Sequence, residues 1–162
     1  EYRCGDPAAA ARAAGEALAA VAALNRPFLR AGILCNLTAY LVALERYAEA
    51  RERGREALDL ARELGADVRL AIALQHLAAA SVLGTAPGRP DGGELAAAAQ
   101  LVGFADAHLR AIESVRDFTD QRDYDRLVGA LRERLGSDAL DRHASSGAAL
   151  SAERAFAVVE LL

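Results

Sequence analysis

Three histidines, His76, His108 and His143, are the first candidates in this chain for acid–base work or metal ligation. A zinc site or a general base needs its partners at defined spacing, as in H-E-x-x-H or a His/Cys cluster. The three lie on separate predicted helices without such spacing, so they read as solvated or hydrogen-bonded side chains. Cys35 would need a neighbouring His as base and donors for an oxyanion to act as a nucleophile. It sits beside Asn36 on a helical face and reads as a buried structural thiol. Ser145, Ser146 and Ser151 flank Gly147, where one helix is expected to stop and another to start, so turn and capping chemistry accounts for them. A phosphate-cradling P-loop needs a lysine, and all nineteen basic residues are arginine. The glycines from Gly84 to Gly93 are interrupted by Pro87 and Pro90, which remove backbone donors, and no strand precedes them. No acid, base and nucleophile come together, and a non-enzymatic chain without cofactor or metal is expected.

Composition narrows the class. The 162 residues suffice for one domain or a short helical array. They are 53% hydrophobic but only 5% aromatic, with no Trp or Met, so the apolar content is chiefly Ala, Leu and Val. Such a chain packs helices closely through small side chains. The net charge of −4 argues against direct nucleic-acid binding. Cys4 and Cys35 form neither a C-x-x-C pair nor a dense framework, and both read as reduced thiols in a cytoplasmic protein. The apolar stretch from Ala8 to Leu24 carries Arg12 and Glu16 and has no basic flank, so neither a signal peptide nor a membrane span is expected. The chain opens without Met, which reads as a fragment whose catalytic or DNA-binding parts would lie upstream.

A repeat organises the first half. Residues 8–44 align without gaps on residues 48–84, with eleven of 37 pairs identical, among them Glu16/Glu56, Leu18/Leu58, Leu34/Leu74, Leu37/Leu77 and Val42/Val82. Such a composition gives about five matches by chance. In the second copy Tyr47, Ala50, Ala57, Leu58, Ala61 and Leu64 mark one helical face, and the charged run from Glu49 to Glu56 fills the other as a solvated surface, with Glu49–Arg53 and Asp59–Arg62 as its ion pairs. Gly65 is the expected stop, and Leu70, Ala73, Leu74, Leu77, Ala78 and Val82 begin a second stripe. Residues 85–93 read as a loop insertion, after which Leu95, Ala98, Leu101, Val102, Ala105 and Leu109 restore the helical period. Helices are predicted at about 120–135, 138–146 and 152–161, with Asp120, Ser137 and Ser151 as caps and Gly136 and Gly147 as stops.

Leu34, Leu37, Thr38, Leu41, Tyr47, Ala50, Gly54 and Ala57 resemble the packing positions of a tetratricopeptide repeat, although the period is 40 residues and the usual Pro after the second helix is replaced by Leu64-Gly65. The resemblance implies an all-α, right-handed superhelix of antiparallel helix pairs over residues 1–117, closed by a C-terminal helical cap over residues 118–162. The segments Ala96 to Gly103, Phe118 to Leu127, Leu131 to Gly136 and Gly147 to Ala155 are similar to the C-terminal ends of large bacterial signal-transducing ATPases of the STAND type. That likeness implies an upstream nucleotide-binding switch, often joined to a winged-helix or LuxR-type DNA-binding domain or to a nucleotide cyclase, with the helical tail as a sensor arm. Its expected partners are a protein or peptide, a small-molecule effector or the upstream domains, with no membrane and no direct nucleic acid, and oligomers remain open.

In arrays of that family the first helix of each pair lines a concave groove. Here the groove would comprise Cys35, Asn36, Ala39, Arg69, Ile72, Gln75, His76 and Ala79, with Asn36 and His76 equivalent across the repeat. An Asn there resembles part of the carboxylate clamp of chaperone-binding repeats, whose lysines are missing. Either this groove takes a ligand or it is shallow and these two side chains bind only water. Self-association or domain spacing through exposed apolar ends is the other function left standing.

Overall fold

The computed structural model describes residues 5–85 and 92–162. Cys4 and residues 86–91 of the expected 85–93 insertion lie outside them, and Gly92 and Gly93 of that insertion open a helix. Eight helices and no strand are found among the described residues: α1 (Pro7–Val21), α2 (Pro27–Ala43), α3 (Tyr47–Leu64), α4 (Asp67–Gly84), α5 (Gly92–Ala111), α6 (Phe118–Leu135), α7 (Ser137–Ala148) and α8 (Ala152–Val159). None of these is long and apolar enough to cross a membrane.

Local chemistry sets the helix ends. Asp6 caps α1 by accepting from the Ala9 amide at 2.8 Å, with Pro7 at the first helical position, where a missing N–H costs nothing. Gly65 ends α3 in the left-handed region at φ 60°, and Asn25, forty positions earlier, takes φ 41° after α1. The starts of α1 and α2 likewise precede those of α3 and α4 by 40 residues. Three expected boundaries are corrected. Asp117, not Asp120, caps α6, accepting from the amides of Thr119 and Asp120. Gly136 rather than Ser137 stands at the N-cap of α7. Gly147, together with Ser145 and Ser146, lies inside α7, which runs on to Ala148. Ser151 does cap α8, accepting from the Arg154 amide.

Helix α4 is the centre of the molecule. Every residue from Leu70 to Val82 is buried, as befits a helix apolar around its whole circumference. It packs against α2, α3, α5 and α6, while α1 lies on α2 and the pair α7 and α8 lies on α5. Small residues set these distances. A Cβ on Gly54 would come within 2.8 Å of Leu77 Cδ2, and one on Gly84 equally close to Tyr47 Cβ. Residues 118–162 pack along the body through α6 on α4 and α7 on α5. The charged face of α3 is exposed as expected, with other pairings: Glu49 joins Arg46 and Arg53 joins Glu56, while Arg62 stacks over Phe156. Exposed pairs of this kind add little stability.

Candidate functional site: the buried His76 cluster

The α6 sequence explains the site. Asp120, Asp123, Leu127 and Leu131 recur at three- and four-residue steps, and all four are buried. Two carboxylates on an otherwise apolar stripe must find partners, because a buried unpaired charge is costly. They find His76. Its Nε2 lies 3.0 Å from Asp120 Oδ1 and its Nδ1 3.5 Å from Asp123 Oδ2. The second contact lacks hydrogen-bond geometry, and both oxygens of Asp123 are otherwise without a hydrogen-bond partner. Beside it, Gln75 Nε2 donates to the Asp120 carbonyl at 2.8 Å. Arg116 donates through Nε to Gln75 and through Nη2 to Asp106, which also accepts from the Tyr124 hydroxyl at 2.9 Å. The Arg116 guanidinium stacks on the Tyr124 ring at 4.0 Å. The network ties α4, α5 and α6 together.

The expected groove is thereby redrawn. Gln75 and His76 are fully buried beneath α6, and Cys35, Ala39, Ile72 and Ala79 are buried as well. Only Asn36 and Arg69 keep partial exposure. Cys35 and Arg69 meet at the seam of α2 and α4, where the thiol donates to the Arg69 carbonyl at 3.8 Å. Asn36 faces away from this seam, into a groove shared with α1. Although Asn36 and His76 hold equivalent places in the repeat, only His76 is covered by α6, so their environments differ. Burial pushes the Cys35 thiol up to about 12, which leaves it protonated and unreactive at neutral pH. His108 stacks on Phe104, with centroids 5.3 Å apart, and lies 3.7 Å from Asp67. Among the described residues no three His, Cys, Asp or Glu side chains are placed to hold a metal ion.

What the cluster can do is hold a proton. Burial works against a charge on His76, but the hydrogen bond to Asp120 and the fields of Asp123, Asp120 and Asp117 outweigh it and raise its pKa above 6.5. Burial also pushes Asp123 up to about 6, against the pull of His76 and Arg126. From α2, Cys35 and Tyr40 face the cluster, and both are shifted upward by burial, so they stay neutral. The contribution of His76 is complete below its unfolded pKa and is lost as pH rises through the raised folded value. Asp123 is ionised in the unfolded chain above its ordinary carboxylate range but only above about pH 6 in the fold, so its cost builds up to about pH 6 and is constant beyond it. The two signs agree. The melting temperature is expected to be about 5 °C higher near pH 6 than near pH 8.5, with His76→Gln removing most of that difference. Circular-dichroism melts across this range check it, and greater stability at the alkaline end would contradict it.

Sequence reasoning named Gln75 and His76 but missed Asp120 and Asp123 as their partners, together with Arg116, Asp106 and Tyr124. The available signal was the pair of acids on the α6 stripe. Comparison of the chain with family models, with curated proteins and with solved structures gave no match.

Proposed function

We propose that this chain is a non-catalytic helical-repeat module, a tetratricopeptide-like superhelix that binds a protein or ligand as the sensor arm of a larger signalling ATPase or transcriptional regulator. The observation that carries the reading is the polar latch. A helix held over a groove by a buried His–Asp–Asp cluster has two definable states, docked and released, and a buried charge pair is a device for specifying one of them more than for adding stability. A partner that binds the face carrying Gln75 and His76 competes with α6, so binding and release are linked.

The test is co-purification from a bacterial lysate by the wild-type chain, by Asn36→Ala and by His76→Ala. A partner recovered more strongly by His76→Ala than by the wild type is expected. Equal recovery by all three, or none, would move the conclusion to a scaffold for self-association or domain spacing. That second reading is favoured by one observation: Leu24, Phe28 and Leu29 stand 58%, 64% and 53% exposed together around the α1–α2 turn. A mass that rises with concentration in sedimentation would support it.

A further inference from the structure

Five arginines among the described residues are half-buried: Arg51, Arg69, Arg116, Arg126 and Arg134. A guanidinium drawn partly out of water needs acceptors in its place. Four of the five have them. Arg51, Arg126 and Arg134 donate to the carbonyls of Ala80, Val42 and Val82, and Arg116 donates to Gln75 and Asp106. The Arg69 side chain donates to no group among the described residues, although its place is well fixed. Its backbone carbonyl takes the Cys35 thiol, and its guanidinium lies over Gly32. A Cβ added there would stand 3.3 Å from Nη2, 3.5 Å from Cζ and 3.6 Å from Nε. Three nearly equal distances mean that the planar group rests its face on bare α2 backbone, which leaves the donors along its edge open. None of its nitrogens is sealed away from water. Asp120, whose field reaches the same thiol, is taken by His76 and does not neutralise Arg69.

An apolar hollow of about 480 Å³ is formed by the α1–α2 turn, with Leu24, Pro27, Phe28 and Leu29 on its walls. Leu29 joins the two places, since it lines the hollow and stands one turn before Gly32 on the same side of α2. An apolar hollow beside one polar anchor is the usual make-up of a small-ligand site, the anchor fixing orientation and the walls supplying area. We propose that Arg69 and this hollow bind a small aliphatic carboxylate, its two oxygens on the guanidinium edge and its chain over Leu29 into the hollow. The edge of a guanidinium matches a carboxylate in two parallel hydrogen bonds, which a lysine in its place would not offer. A neutral lipid would leave Arg69 unanswered, and a bare inorganic anion would leave the hollow empty. The inference rests on the ligand-binding part of the reading above and gives that ligand a chemistry.

The probe is decanoate, titrated into the chain below its micelle concentration and followed by calorimetry, with decanol and acetate as the two halves of the ligand tested alone. Saturable binding of decanoate is expected, and none of acetate or decanol. Arg69→Gln is expected to weaken it at least about tenfold, Arg69→Lys about threefold and Leu29→Ser about threefold. Arg55→Gln, on the exposed face of α3, is expected to leave it unchanged. Thermal melts establish that each variant is folded. Absence of saturable binding overturns the proposal, as does decanoate binding indifferent to Arg69→Gln or matched by decanol. A mass that rises with concentration and falls with Leu29→Ser also overturns it, because a second copy of the chain then covers the hollow. The readout does not pass through α6, so the recovery of a partner by His76→Ala can fail while decanoate binds, and the reverse.

Discussion

His76→Ala is expected to lower the melting temperature by about 10 °C and to release α6 while α1 to α5 stay folded. The substitution removes the imidazole that lies between Asp120 and Asp123, and Asp123 is fully buried with neither oxygen hydrogen-bonded among the described residues. Removing one member of a buried pair costs about 3–5 kcal/mol, most of it the penalty on the charge left behind. A second loss follows, because a shifted α6 no longer offers the Asp120 carbonyl to Gln75. Rescue separates charge from packing. Adding Asp123→Asn to His76→Ala is expected to recover about half of the loss, since an amide in that place leaves no buried charge. Urea melts of the four chains in the cycle measure the coupling, and strictly additive effects would show that the contact carries no energy.

Gly103→Ala and Gly147→Ala are each expected to destabilise the chain by about 3 kcal/mol, an effect that the same change at Gly129 reverses. Alanine is the better helix former by about 1 kcal/mol, so propensity alone favours all three substitutions. Space decides otherwise. Around Gly129 nothing lies within 4 Å of an added Cβ, and a gain is expected there. At Gly103 the new carbon would lie 2.7 Å from the Ala144 Cα and collide with its carbonyl, and at Gly147 it would meet Gln100 in the same way at 2.6 Å. These neighbours are backbone and cannot turn aside, so α5 and α7 must separate. Denaturant melts of the three variants check the signs, and stabilisation by Gly103→Ala would refute the close approach.

Much of this architecture is legible in local patterns. The Asp6-Pro7 start, the Gly65 stop and the apolar stripes of α3 and α4 follow from capping rules and a period of 3.6, which depend on neighbours in sequence. The errors fall where a residue type serves two purposes. Gly147 reads as a helix stop because glycine usually marks one, yet here it lets α7 lie against α5. Asp120 reads as a cap because Asp near a helix start often is one, yet Asp117 holds that place and Asp120 faces His76. The candidate groove was half legible. The resemblance to a helical repeat puts Gln75, His76 and Ala79 on one face of α4, but whether that face meets water or another helix depends on where residues 118–135 fold back, and no local spacing records it. The acids at 120 and 123, in step with Leu127 and Leu131, carry the one trace of that contact in the sequence.

Hydrogen exchange of the native chain near pH 6, read over residues 118–135 in the wild type and in His76→Ala, tests the docking of α6 most directly. In the wild type these amides are expected to be protected nearly as well as those of α4, and in the variant to exchange through local opening while α2 to α4 remain protected. Fast exchange of α6 in the wild type, or unchanged protection once His76 is gone, would contradict a latch.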